Sequence, residues 1–265
     1  MLVDVLSLTL FQLAFGLAVF ELLTPSRDLS SGFFVLHGAL ALPAAVLAGL
    51  SSGLSGLLLR GKGGLPLFVV FTVGVGLHTL CARMEWMGAA RLALVPSVLA
   101  GGALLGSLAH VEPFVGRGIG PVWLASGLGL GGLFFGAVVW AMNLGHWYLV
   151  SKTLPYQLLL WGSSAFAFLA VARSALAVVA LGFVARSTAP GPLDLLLDPM
   201  RDGLFFWSRV LWGLFAPLVL APFVVKTAQM RSNQAATGLL YVGLVFVMIG
   251  ELLATYLTLR SGLPV

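Results

Sequence analysis

Three histidines in this 265-residue chain each lie inside a long apolar run. His78 lies five residues before Arg83 and His146 lies six residues before Lys152, while His37 follows the polar start of its own run at a similar distance. An imidazole in hydrocarbon is costly and is rarely kept without a partner. Three imidazoles at one depth therefore indicate a redox-cofactor or quinone pocket near one surface of a membrane.

The composition identifies an integral membrane protein. Hydrophobic residues make up 60% of the chain and charged residues 9%, against about 25% charged residues in soluble domains. The net charge of +5 is spread over short loops without a basic tract, which excludes nucleic acid and is typical of anchoring at lipid headgroups. A single cysteine, Cys81, excludes an intrachain disulfide, c-type haem and an iron–sulfur cluster held by this chain. We expect a bacterial cytoplasmic membrane.

The charged residues divide the chain into apolar runs, and a membrane span needs about 20 such residues. We predict an all-α polytopic bundle of about eight transmembrane helices that forms one domain over residues 1–265. The predicted spans are 4–23, 32–58, 65–83, 92–111, 121–149, 157–185, 203–225 and 237–259. Residues 186–202 are expected to form either a short amphipathic piece at the interface or a plain surface loop.

Short connections make successive spans antiparallel, so the first, third, fifth and seventh connections share one side of the membrane, called face A; the opposite side is face B. His37, His78 and His146 all lie near face A, roughly 8 Å deep at 1.5 Å per residue. Two of them on facing helices can ligate a b-type haem, or they can hydrogen-bond a quinone carbonyl and pass on its proton. The third interpretation is simple anchoring of helix ends, which we prefer for His110 at face B.

Charged and phenolic groups accompany these histidines at face A. Glu21 closes the first span, Arg83 and Glu85 follow His78, and Tyr148 follows His146. Glu21 or Glu85 can supply a proton exit, and Arg83 and Tyr148 can contact the cofactor.

Three further charges lie deep in the spans. Arg173 is near the middle of the sixth span, Glu251 is near the middle of the eighth, and Arg209 in the seventh lies at the depth of Glu251. A lone charge at the bilayer centre costs roughly 2.5–3.5 kcal/mol, so we expect Glu251 to pair with Arg209, and Arg173 can join them. Such a group can form a proton path or contact a quinone, or it can be an ion pair that fixes helix register.

Glycines at small-xxx-small spacing predict close helix packing. Gly102 with Gly106 and Gly132 with Gly136 show this spacing, which lets helix backbones approach. The dense stretch GLGLGGLFFG in the fifth span is expected to contact a neighbouring helix, a partner subunit or a flat cofactor.

The last span carries the sequence MIGELLATYL, in which Ile249–Leu253 are followed by Tyr256. This element resembles the final helix of the membrane-anchor subunits of dimethyl sulfoxide reductase and polysulfide reductase. The resemblance implies a haem-free subunit that exchanges electrons between membrane quinone and a peripheral partner bearing iron–sulfur or other metal centres. The basic residue often found after this element is replaced by Ala254–Thr255, so no role passes to Glu251 from the resemblance.

We therefore predict a membrane subunit of an electron-transfer complex, either non-catalytic or reactive with quinone, which binds quinone or a b-type haem near face A through His146 with His37 or His78. One alternative is a transporter or channel with Arg173, Arg209 and Glu251 along its path. Another is a structural subunit that docks other subunits of a complex through the fifth span.

Overall fold

A computed structural model describes residues 1–59, 63–110, 120–151, 154–186, 197–198 and 202–265. These residues contain helices and no strand. Eight helical stretches among them are long and apolar enough to cross a membrane. The predicted all-α bundle of eight spans is thereby confirmed. The predicted interfacial piece or loop at 186–202 lies almost entirely outside the described residues.

The first six spans and the eighth are continuous α-helices, whereas a π-helical segment interrupts the seventh. The first six are α1 (Leu2–Leu23), α2 (Ser31–Ser55), α3 (Gly64–Arg83), α4 (Met87–Leu108), α5 (Pro121–Val150) and α6 (Gln157–Ala185). The seventh span consists of α7 (Gly203–Ser208), a π-helical segment (Arg209–Phe215) and α8 (Ala216–Gln229), and the eighth is α9 (Asn233–Ser261).

The helix α4 begins earlier than the sequence predicts. We expected the span to start near residue 92 because Arg91 carries a charge, but the helix begins at Met87. Arg91 lies inside its first turns and donates an N–H to the carbonyl oxygen of Leu22 at 3.0 Å. The charge is thus used at the end of a neighbouring helix, where carbonyl groups lack intrahelical partners.

The central helix α5 packs against α1, α4, α6 and α9. Its closest approach is to α1, where a side chain added at Gly16 would overlap the carbonyl of Gly132 and come within 2.9 Å of the Cα atom of Gly136. Only glycines allow two helix backbones to meet at this separation. The spacing of Gly132 and Gly136 therefore has the packing role we expected, whereas Gly106 has no neighbour within 4 Å of an added side chain.

The C-terminal turn of α1 is held in place by side chains. The Thr24 hydroxyl donates to the Phe20 carbonyl at 2.6 Å, and Arg91 satisfies the carbonyl of Leu22. These bonds replace the helical partners that the last carbonyl groups lack. They fix the turn that carries Glu21 against α2, α3 and α4.

Candidate functional site

Three helices bring Glu21, His37 and His78 together near face A. The Nε2 atom of His78 lies 2.5 Å from Oε2 of Glu21, and Nδ1 of His37 lies 3.7 Å from Oε1. All three side chains are at most 3% exposed. Glu21 is two residues from the end of α1, and His78 is five residues from the end of α3. The structure thus places two of the three predicted histidines around a carboxylate that we expected to be a proton exit.

Glu21 and His78 form a pair that requires a shared proton. The Nδ1 atom of His78 lies 3.0 Å from the carbonyl oxygen of Ala90. A carbonyl only accepts hydrogen bonds, so Nδ1 carries a hydrogen. In a neutral ring Nε2 then holds a lone pair, and it would face a second lone pair on an ionised carboxylate. The close approach therefore needs one proton, held either by the carboxyl group or by the imidazole.

The contact between Glu21 and His78 is close but poorly aligned. Among the described residues, Nε2 of His78 and Oε1 of Glu21 have no hydrogen bond of normal geometry. Buried polar atoms without such bonds are uncommon in proteins and mark either strain or function. The carboxyl group thus keeps one oxygen available to a further donor.

His37 is oriented by two other groups. Its Nδ1 atom lies 2.9 Å from the carbonyl oxygen of Phe33, one turn earlier in α2, so Nδ1 carries a hydrogen. Its Nε2 atom then accepts an N–H from the Asn143 amide of α5 at 3.3 Å. We did not predict Asn143, although an amide inside the apolar fifth span, three residues before His146, was a visible signal.

An aromatic wall surrounds the His37 side of the cluster. The centroid of the Phe33 ring lies 4.3 Å from that of the His37 imidazole. Trp140 packs edge-on against Phe33. The ring of Trp140 also packs on two other rings, with centroid distances of 5.0 Å to Trp161 of α6 and 5.9 Å to Phe20. Such a surrounding excludes water, and the low local dielectric strengthens every polar contact in the cluster.

The structure does not bring the other predicted face A residues into this cluster. His146 is exposed near the end of α5, and Arg83 and Glu85 are exposed at the turn between α3 and α4. Tyr148 is buried, but its hydroxyl donates to the carbonyl of Pro155. Tyr148 therefore joins the ends of the connection between α5 and α6.

A b-type haem held by His37 and His78 would need one ring nitrogen of each to face the iron. The Nε2 atom of His37 faces Asn143 and that of His78 lies against Glu21, so another side chain stands against each of these two nitrogens. Among the described residues no group of three or more histidine, cysteine or acidic side chains has the spacing of a metal site.

A second buried cluster lies in the middle of the bundle. Arg173 contacts both carboxylate oxygens of Glu251 at 3.2 and 3.3 Å, and Arg209 contacts Oε1 at 3.0 Å. All three side chains are at most 2% exposed. The expected pair of Glu251 and Arg209 is thus present, and Arg173 joins it. Because both carboxylate oxygens are occupied by guanidinium groups, this cluster fits an ion pair that ties three spans together.

The π-helical segment belongs to this central cluster. The Arg209 guanidinium donates to the carbonyl of Gly213 at 3.0 Å, and the backbone of Gly213 packs directly on that of Gly250. Single π-helical turns are rare in proteins, but those that occur often lie at functional positions. Here the wider turn accommodates a buried arginine where two helix backbones touch.

A polar chain extends the central cluster along α1. The Thr255 hydroxyl donates to Gln12 at 3.1 Å, and the Gln12 amide donates to the carbonyl of Leu128 at 2.8 Å. Sequence reasoning missed these residues because an amide and a hydroxyl do not interrupt an apolar run. Gln12 and Glu21 are nine residues apart on α1, roughly 13 Å, and residues 13–20 between them are apolar. The two clusters are therefore separate.

No family model, curated protein or solved structure matches this chain.

Proposed function

We propose that this chain is the membrane subunit of an electron-transfer complex, and that the pair of Glu21 and His78 exchanges the proton that accompanies quinone chemistry near face A. The observation that carries this proposal is the buried pair itself, in which a carboxyl group and an imidazole require one shared proton at 2.5 Å. Such a pair is a general acid and base within an apolar bundle. We place it in a bacterial cytoplasmic membrane.

Reduction of a quinone consumes two electrons and two protons. The pair of Glu21 and His78 gives one proton, regains a proton from water at face A and then gives the second. Face A lies close because Glu21 is two residues from the end of α1. His37, with Nδ1 3.7 Å from the other carboxyl oxygen, stabilises the ionised carboxylate left after the proton has gone. Asn143 and the Phe33 carbonyl keep that imidazole in place.

The electrons come from a partner subunit in this proposal. The chain has one cysteine, so it brings no iron–sulfur cluster of its own. A peripheral subunit with iron–sulfur or other metal centres, as the resemblance of the last span implies, supplies the electrons at the membrane surface.

The test uses the intact complex isolated through a tag on this chain. Glu21→Gln retains the shape of the side chain and an N–H donor towards His78, but it holds no proton to exchange. We expect quinone reduction, measured with reduced methyl viologen and decyl-ubiquinone, to fall by a factor of about 100 or more. The matched control is Glu85→Gln, which changes an exposed carboxylate on the same face and leaves the rate unchanged. A wild-type rate in an assembled Glu21→Gln complex contradicts the proposal.

A transporter is the second candidate, and the π-helical segment favours it. The buried Arg209 keeps its Nε atom without a hydrogen bond among the described residues, next to a helix geometry that is frequent at functional positions. Flux measurements in proteoliposomes with Glu251→Gln test this candidate, because unchanged flux excludes a path through the central cluster.

A further inference from the structure

Two neighbouring residues of α4 hold the two members of the pair at face A. The carbonyl oxygen of Ala90 accepts the Nδ1–H of His78 at 3.0 Å. The guanidinium of Arg91 donates to the carbonyl oxygen of Leu22 at 3.0 Å, and Leu22 directly follows Glu21 in α1. One short stretch of α4 is therefore bonded both to the imidazole and to the backbone beside the carboxyl group.

The imidazole side of the pair is fixed within one helical hairpin. Residues 84–86 alone separate α3 from α4, and within this turn the Trp86 N–H donates to the carbonyl of Cys81 at 2.8 Å. His78 and its acceptor Ala90 therefore belong to the same tight unit. Bonds within α3 and α4 orient the Nδ1 side of the ring without any contribution from α1.

The carboxyl side of the pair comes from a different helix and depends on how the end of α1 is docked. Glu21 lies in the last turn of α1, which ends at Leu23, and the carbonyl groups of a last helical turn lack intrahelical partners. Arg91 supplies a charged donor to one of them, and a positive charge at a helix C-terminus is itself favourable. Arg91 therefore joins the last turn of α1 to the hairpin that carries His78.

The guanidinium of Arg91 bonds to the backbone of α1 and leaves the carboxyl group to the histidines. Oε2 of Glu21 lies against His78, and Oε1 has no hydrogen bond among the described residues. A guanidinium bonded to the carboxylate would instead favour its ionised form and oppose the uptake of a proton. The arginine therefore acts on the position of the carboxyl group through the peptide chain.

We propose that Arg91 is a positioning residue for the pair of Glu21 and His78: its bond to Leu22 holds the last turn of α1 where the two side chains can share a proton. This role rests on the function proposed above. Proton transfer needs donor and acceptor within hydrogen-bond reach, and a misplacement of about 1 Å can cost about 100-fold in rate. Without the bond the imidazole stays with Ala90, the end of α1 is released, and the short contact lengthens.

The first experiment observes the imidazole itself by nitrogen NMR, in the full chain labelled with isotopic histidine and reconstituted in phosphatidylcholine nanodiscs. A ring nitrogen that shares a proton differs in signal from one with a free lone pair, so the Nε2 signal of His78 differs between the wild type and Glu21→Leu. We expect Arg91→Met, which keeps an unbranched stem but no donor, to move this signal towards its position in Glu21→Leu. The control Arg83→Met, at an exposed arginine of the same face, leaves it in place.

A milder variant decides the matter if Arg91→Met does not fold. Arg91→Gln keeps a polar N–H that water can solvate at this half-buried position, but its side chain is too short to reach Leu22. We expect the same movement of the His78 signal. Simple anchoring of the helix end predicts a lower melting temperature with an unmoved signal. A wild-type His78 signal in either variant, once its elution profile shows that it is folded, overturns the positioning role.

Turnover by the intact complex gives the second readout and separates this role from the proposed function. We expect Arg91→Met to lower kcat by a factor of about 10–100 with an unchanged KM for decyl-ubiquinone, and to add no further loss in the background of Glu21→Gln. A moved His78 signal together with wild-type turnover in Glu21→Gln retains the positioning role and rejects the proton role. Loss of turnover in Glu21→Gln with an unmoved signal in Arg91→Met retains the proton role and rejects the positioning role.

Discussion

Arg173 contacts Glu251 through two nearly equal N–O distances, 3.2 and 3.3 Å, in the middle of the bundle. The same guanidinium also donates to the carbonyl oxygens of Pro264 and Val265. One arginine of α6 therefore fixes α9 and the segment that follows it. This bidentate geometry gives orientation as well as attraction.

Removing the carboxylate is expected to destabilise the bundle. In Glu251→Gln two buried guanidinium groups face a neutral amide, and an uncompensated buried charge costs about 3–5 kcal/mol. The measurement is the free energy of unfolding from titration of mixed micelles with dodecyl sulfate. Glu85→Gln, in which an exposed carboxylate is lost, is the control and changes the stability by less than about 0.5 kcal/mol. Equal stabilities of the two variants contradict the ion-pair role.

Because α1 and α5 cross closely, we expect the same glycine-to-alanine substitution to have opposite effects on stability at two positions of α5. Gly136→Ala forces a methyl group into the backbone of Gly16 and is expected to cost about 1–3 kcal/mol through overpacking. Gly129→Ala has no neighbour within 4 Å and gains up to about 1 kcal/mol in helix propensity. The difference in unfolding free energy between the two variants measures how closely the backbones of α1 and α5 pack. If both variants are equally stable, the two backbones do not touch as described.

The pair of Glu21 and His78 is expected to be energetically coupled. Glu21→Leu leaves Nε2 of His78 without its neighbour, and His78→Leu leaves a buried carboxyl group. The double variant leaves neither, so it loses less stability than the sum of the single variants. We expect a coupling free energy of about 1–3 kcal/mol in a double-mutant cycle. Additive losses would show that the two side chains do not interact.

Tyr148 is expected to stabilise the fold without contributing to turnover. Tyr148→Phe removes the hydroxyl that donates to the Pro155 carbonyl and accepts the Leu159 N–H, so it loses about 1–3 kcal/mol of stability. Tyr241→Phe, at a side chain that is 45% exposed, is the control. Quinone reduction by the assembled Tyr148→Phe complex stays at the wild-type rate. A lower rate with unchanged stability would instead support the contact between Tyr148 and the cofactor that the sequence predicted.

The fold was predictable because run length and charge decide which segments cross a membrane. The eight spans follow from apolar runs of about 20 residues. The helix α4 begins at Met87, before the predicted span, and Arg91 inside it bonds to a neighbouring helix instead of ending the run.

The depth of the site residues in the membrane was predictable, but the direction in which their side chains point was not. Distance from a helix end placed Glu21, His37 and His78 at face A, and the structure brings them together. Depth does not give rotation about the helix axis. Residues three apart on a helix differ by roughly 60°, and across α5 this rotation turns Asn143 inwards and leaves His146 exposed. Backbone partners such as the Ala90 carbonyl carry no signal in side-chain chemistry.

The apolar layer between Gln12 and Glu21 has an electrical consequence. Most of a transmembrane voltage falls across the hydrocarbon, which is about 30 Å thick, and a full crossing at 100 mV involves about 2.3 kcal/mol per elementary charge. Glu21 lies two residues from the end of α1, on the face A side of this layer. A proton that moves between face A and Glu21 therefore crosses little of the voltage, so we expect the proton exchange proposed for this cluster to be almost independent of how strongly the membrane is energised.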